Sequence, residues 1–119
     1  MDEKELLDRL DFIEFRQELL FKNDPYSREL FDNDITREQD KRIGDLFDDY
    51  RDRIDKGERV SKSSFEQIIY EIVPHKKYEY HFAESIALAN HESDNYEEVF
   101  EQLYGKEAKY QSYLNKNKN

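Results

Sequence analysis

A run of closely spaced oxygen donors, DNDITREQD at residues 32–40, is the first stretch of this sequence that could do chemistry. Its carboxylates belong to Asp32, Asp34 and Asp40. Carboxylates at such spacing begin an EF-hand calcium loop, which also needs glycine at its sixth position and glutamate at its twelfth. This chain has Arg37 and Ile43 there. Thr36 and Gln39 instead have the spacing of a capping box, so the stretch predicts a helix start and no metal site.

The histidines offer a second kind of chemistry, because an imidazole beside a carboxylate can transfer protons. His75, His81 and His91 are six and ten residues apart, which does not align two imidazoles on one helix face for a metal. His81 and Glu84 could form one acid/base pair on a helix. The chain has no cysteine, P-loop, nucleophile elbow or dinucleotide fingerprint. We therefore expect no enzyme, no catalytic residue, no metal and no cofactor.

A row of aspartates follows the predicted helix start at Thr36 and is a candidate binding surface. It consists of Asp45, Asp48, Asp49, Asp52 and Asp55. Spacings of three and four align several of them on one helix face, where they could imitate nucleic-acid phosphates in a basic groove of a target protein. The alternative is a solvated face partly balanced by Arg51, Arg53 and Lys56, which is the usual role of a charge run.

Composition narrows the class of partner. The 119 residues carry a net charge of −10, which disfavours direct binding to nucleic acid and to anionic membranes. A protein partner with a basic surface is the natural complement. The N-terminus does not have the pattern of a secretory signal, and no apolar run approaches the roughly 18 residues that span a bilayer. We expect a cytoplasmic protein.

Helical periodicity predicts an all-α fold, a single compact bundle of five or six helices. The expected helices lie at residues 4–22, after Pro25, at 37–56, from Ser61 to Pro74, at 77–91, and from Asp94 to Gly105. The β-branched run QIIYEIV makes a strand the minority alternative for one of them. We predict a helical domain at residues 1–105, followed by a basic, partly frayed C-terminal extension at residues 106–119.

The first predicted helix has more apolar surface than one neighbouring helix covers. Leu6, Leu10, Ile13 and Leu20 repeat at helical spacing, and a second set widens the stripe. This second set includes Phe12, Phe15, Leu19 and Phe21. We expect one side to pack on its own domain and the other on a second chain, giving a homo-oligomer. The alternative is a monomer in which later helices cover both sides.

The predicted function is a non-enzymatic protein-interaction or regulatory module, and an acidic inhibitor or nucleic-acid mimic is the alternative.

Five segments in this order resemble the YhaI-like family, which are small uncharacterised proteins of Bacillus and its relatives. They are RLDFIEFRQELL, DPYSRELF, ITREQDKRIGDLFDDY, VSKSSFEQIIYEIVP and YEEVFEQLY. The resemblance spans about residues 5–104 and implies a multihelical cytosolic fold with no established activity or catalytic residues. This chain departs from the family in its higher aromatic and acidic content and in its basic tail after Gly105. Those departures leave room for a specialised role in a phage or mobile element.

Overall fold

The computed structural model describes residues 1–116, which form seven α-helices and two short 3-10 turns. The helices are α1 (Glu3–Lys22), α2 (Pro25–Asp32), α3 (Arg37–Asp55), α4 (Lys62–Ile72), α5 (Phe82–Glu92), α6 (Glu97–Tyr104) and α7 (Gln111–Lys116). The 3-10 turns are Pro74–Lys76 and Ala108–Tyr110. The predicted all-α fold is confirmed, and the QIIYEIV run is helical within α4. The predicted count of five or six helices is too low, because α7 forms in the segment assigned to the extension.

Side-chain caps fix where the first four helices begin. The Asp2, Asp24 and Ser61 side chains each accept a hydrogen bond from a backbone N–H of the first turn that follows. At α3 the capping box is complete, because the Gln39 N–H donates to Thr36 Oγ1 over 3.1 Å and the Thr36 N–H donates to Gln39 Oε1 over 3.0 Å. These bonds satisfy backbone donors that a helix start leaves without partners. DNDITREQD is therefore a helix start, as its spacing predicts.

The core lies between α3 and the helices packed around it. Ile43, Phe47 and Tyr50 of α3 are fully buried, and the Phe47 and Tyr50 rings meet the Phe65 ring of α4 edge-on. Helices α5 and α6 close the other side, where Phe100 is fully buried. The described part of the chain measures 50 × 28 × 27 Å. Helix α1 packs chiefly on α2 and so lies at the margin of this core.

The segment after Gly105 is folded onto the body as far as the structure describes it. Leu114 of α7 is buried, and the Tyr110 ring lies 5.1 Å from the Phe100 ring. Lys109 pairs with Glu84 of α5 over 2.7 Å. Leu114 of the predicted extension is therefore part of the core, and Tyr110 and Tyr113 pack against it, while residues 117–119 of its predicted frayed end lie outside the described residues. No helix within residues 1–116 is long and apolar enough to cross a membrane.

Candidate protein-interaction surface

Helix α1 has an inward face that packs on its own domain. Phe15 and Leu19 on this face are 5% and 3% exposed, and Phe12 is half-buried. The Arg16 guanidinium lies 3.8 Å from the centre of the Phe31 ring of α2, and it also approaches the Phe12 ring. A cation over an aromatic face adds attraction to the apolar packing. We call Phe12, Phe15 and Leu19 the inward face.

Two arginines fix the position of α1 against the next two helices. Arg16 donates to the Phe31 carbonyl and to Asp34 Oδ1, each over 3.0 Å. From the first turn of α3, Arg37 reaches back to Asp11 over 3.1 Å and to Glu18 over 2.7 Å. These four contacts span more than one turn of α1. The helix is therefore held in one orientation before any partner binds.

The opposite side of α1 is an apolar surface open to solvent. Its side chains are Leu6, Leu7, Leu10, Ile13, Leu20 and Phe21. The first five are 49–57% exposed, and Phe21 is 92% exposed. We call these six residues the open face. A contiguous set of large apolar side chains on one helix is typical of a surface that another protein covers.

Of the four predicted interaction residues on α1, the structure places one on the open face. Phe21 lies there, whereas Phe12, Phe15 and Leu19 form the inward face, where Phe15 and Leu19 belong to the protein's own core and Phe12 is half-buried. Periodicity shows that a helix has two apolar sides but does not show which of them meets the rest of the domain. The contacts of Arg16 and Arg37 determine which side of α1 faces the domain, and the residues they join are up to 26 positions apart in sequence.

The open face follows a seven-residue repeat. Leu6, Ile13 and Leu20 are seven residues apart, and Leu10 and Gln17 occupy the positions between them. Gln17 is exposed, as are Ile13 and Leu20 on either side of it in the repeat. Spacings that alternate between four and three are those of a coiled-coil seam. The pattern thus predicts a helix as the partner of α1.

The acidic row is on the surface of α3. All five of its residues are exposed: Asp45, Asp48, Asp49, Asp52 and Asp55. Asp48 accepts a hydrogen bond from the Tyr96 hydroxyl over 2.6 Å, and Asp49 pairs with Arg53 over 3.0 Å. Burial of Tyr96, together with this bond to Asp48, raises the pKa of Tyr96 to about 12. Two of the five carboxylates therefore already serve the fold of their own chain.

His91 of α5 is buried, and its ring lies between α6 and α7. His91 Nδ1 lies 2.6 Å from the Tyr113 hydroxyl, and Nε2 lies 3.2 Å from Glu101 Oε2. Glu97 is close enough that one ligand atom from each of His91, Glu97 and Glu101 falls within 4.8 Å of the others, which could hold a cation. Both imidazole nitrogens already have protein partners, however. The Tyr113–His91–Glu101 chain of hydrogen bonds accounts for this geometry without a metal.

His81 and Glu84, the acid/base pair that the sequence left possible, do not line the same depression. His81 is exposed and lines a depression of about 290 Å³ together with Glu29 and Glu79. Glu84 is not part of that lining and is bonded to Lys109 and Tyr110. Burial alone would raise the pKa of Glu84, but these two hydrogen bonds lower it. The Glu84 carboxylate is therefore held as an anion in an ion pair with Lys109 of the C-terminal segment.

No protein-family model, curated protein or solved structure matches this chain. The resemblance to the YhaI-like family stays a prediction. The surfaces described above therefore have to be interpreted from their own geometry and chemistry, and the open face of α1 is the feature that the fold itself leaves unexplained.

Proposed function

We propose that this protein is a non-enzymatic interaction module that associates with a second copy of itself through the open face of α1. The observation that carries the proposal is the exposure of Leu6, Leu10, Ile13 and Leu20 along one side of a fully formed helix. Apolar surface contributes roughly 25 cal/mol for each Å² removed from water. Covering the open face is therefore a strong source of binding free energy.

A second copy is the occupant that fits best, because a seven-residue apolar repeat is complementary to itself. Two such helices can pack knobs into holes along the whole seam, and symmetric dimers are the commonest soluble oligomers. Helix α1 is already formed and docked on its own body by Phe15, Leu19 and the contacts of Arg16 and Arg37, so little conformational entropy is lost when it pairs. A preformed helix also removes the unfavourable nucleation step that isolated coiled-coil strands must overcome.

The acidic row of α3 gives weaker support to the alternative function, an acidic inhibitor or nucleic-acid mimic. Asp45, Asp52 and Asp55 are exposed on α3, as a nucleic-acid mimic requires. Arg53 offsets the charge of Asp49, and Asp48 accepts a hydrogen bond from Tyr96, so two of the five carboxylates already have partners in their own chain. A solvated face explains this arrangement equally well. We therefore retain one proposed function, with the row as a surface that suits a basic protein partner.

Substitution within the open face tests the proposal. The double change Leu10→Asp and Ile13→Asp places charges at the centre of the seam, where burial of unpaired carboxylates is costly. We expect light scattering after size exclusion to show a dimer for the unchanged chain and a 14.6 kDa monomer for the variant, with unchanged helical circular dichroism.

The matched control is Tyr80→Asp, because Tyr80 is 82% exposed but lies outside α1. This variant is expected to remain dimeric. A Leu10→Asp, Ile13→Asp protein that is still a dimer would show that another surface mediates association, and loss of dimer in the Tyr80 variant would point to the same conclusion.

A further inference from the structure

The repeat in α1 has one coiled-coil assignment. In such a repeat, position d follows position a by three residues, and the next a follows d by four. The intervals along the exposed side of α1 therefore place Leu10 and Gln17 at a, and Leu6, Ile13 and Leu20 at d. The same assignment puts Phe15 at f, directly opposite the seam. The body of each protomer thus lies on the outer side of a helix pair and does not obstruct it.

Two residues that flank this seam carry opposite charges, and their positions favour one relative direction of the two α1 helices. Arg9 falls at position g and Glu14 at position e, and both are exposed. In a parallel pair, a g residue lies beside the e residue five positions later on the other helix. Arg9 of each protomer then meets the partner's Glu14. Within residues 1–116 neither side chain forms an ion pair in its own protomer.

The antiparallel arrangement has the opposite electrostatics. There, g residues face g residues, and full overlap of the two seams brings Arg9 beside the partner's Arg16. Arg16 is already committed to Asp34 and to the Phe31 carbonyl, so it cannot turn away without releasing α1 from its body. In the fully overlapped antiparallel dimer, each of the two Arg9–Arg16 contacts would therefore be repulsive. Charge therefore favours the parallel direction.

The position of Gln17 in the seam also favours the parallel pair. In a parallel pair the two Gln17 side chains meet each other across the seam, where each amide can donate to the other. In the fully overlapped antiparallel pair each Gln17 faces the partner's Leu6, which leaves a buried amide without a partner. A single polar residue at an a position is a known means of fixing the register of a coiled coil.

We propose that the dimer is a parallel, in-register two-stranded coiled coil of the α1 helices, with Arg9 of each chain paired to the partner's Glu14 and the two Gln17 side chains in contact. This inference rests on the proposed function and specifies the geometry of the same surface. The 20-residue helix is about 30 Å long, and the seam from Leu6 to Leu20 spans just over two heptads of it. That length suffices here because the body of each protomer already stabilises its α1.

Charge reversal gives the first test. Arg9→Glu alone and Glu14→Arg alone each turn two attractive contacts into two repulsive ones, and we expect each to raise the dimer dissociation constant about tenfold at low salt. An equimolar mixture of the two variants restores both ion pairs in a heterodimer. Recovery of the unchanged chain's affinity in the mixture is the expected result. If the mixture dimerises no better than its components, the pairing is wrong.

Disulfide capture gives the second test, because the chain contains no cysteine. A Gln17→Cys variant places the two sulfurs beside each other in the parallel pair, and mild oxidation is expected to yield a covalent dimer rapidly. The control is Asp8→Cys, which lies at position f on the outside of the pair and is expected to cross-link slowly. Equal rates for the two variants would overturn the parallel register.

Dimerisation through α1 and the parallel direction of the helix pair can be contradicted separately. An unchanged chain that stays monomeric contradicts the proposed function and the coiled coil together. An unchanged chain that is dimeric, with cross-linking of a Leu6→Cys, Gln17→Cys double variant but not of Gln17→Cys alone, contradicts the parallel direction and leaves the proposed function standing.

Discussion

Tyrosine hydroxyls that donate to carboxylates recur across the packed helices of this protein. The pairs are Tyr26–Asp40, Tyr96–Asp48, Tyr104–Glu66 and Tyr110–Glu84. In each pair, burial is the main cause of a raised tyrosine pKa, and the neighbouring carboxylate raises it further. A phenol that gives up its proton here would place a second negative charge beside the first. These residues therefore stabilise the fold in their protonated form.

The direction of the resulting pH dependence follows from linkage. Unfolded tyrosines lose their protons near pH 10, whereas the folded ones hold them to higher pH. Between those values unfolding releases protons, so stability is complete below about pH 10 and falls as pH rises above it. For Tyr104, which is 1% exposed, the expected slope is about 1.4 kcal/mol for each pH unit. Urea denaturation at several alkaline pH values measures it.

Tyr104→Phe is the control for this prediction, since it keeps the ring and removes the titrating group. We expect the variant to lose about 1 kcal/mol at neutral pH from the missing bond to Glu66, and to show a shallower decline above pH 10. Equal slopes in the two proteins would show that Tyr104 is not responsible for the alkaline loss.

At the scale of elements, the start of α3 depends on one hydroxyl. Thr36→Ala removes the acceptor for the Gln39 N–H and is expected to cost about 1 kcal/mol in the free energy of unfolding. Thr36→Ser keeps the hydroxyl and should retain most of the stability. Chemical denaturation of the three proteins makes the comparison, and an alanine variant as stable as the unchanged chain would refute the role of the cap.

Helix α7 is the element that links the C-terminal segment to the core. Leu114→Ala empties a buried position and is expected to cost about 2 kcal/mol, the low end for buried leucine because α7 is short and can adjust. Asn115→Ala, at the exposed neighbouring position, should change stability little. The two unfolding curves distinguish a segment that belongs to the domain from one that merely follows it. Similar curves for both variants would mean that α7 contributes nothing to the fold.

The elements differ in how far the sequence predicted them. Thr36 and Gln39 form a local motif, so their capping box could be predicted from three-residue spacing alone. The choice between the two apolar sides of α1 could not, because it depends on distant partners of Arg16 and Arg37. His91 likewise meets Glu101 and Tyr113 only through the packing of separate helices. The periodicity of one helix cannot predict contacts between residues that are distant in sequence.

For the whole molecule, the helices bury their apolar faces in one core, except for one apolar side of α1 that stays exposed. Side chains of α2 to α7 bury their apolar faces against one another, whereas α1 uses one side for that purpose and exposes the other. Arg16 and Arg37 stabilise this arrangement in the isolated chain. A second α1 helix would cover the remaining apolar side and complete the pattern of burial.

Sedimentation equilibrium of the unchanged protein over a wide range of concentration tests this account most directly. If α1 pairs with a second copy, the mass rises from 14.6 kDa toward twice that value and then stops, as a closed dimer requires. A mass that stays at 14.6 kDa up to the highest concentration would contradict self-association through α1, and a mass that keeps rising beyond the dimer would contradict a closed helix pair.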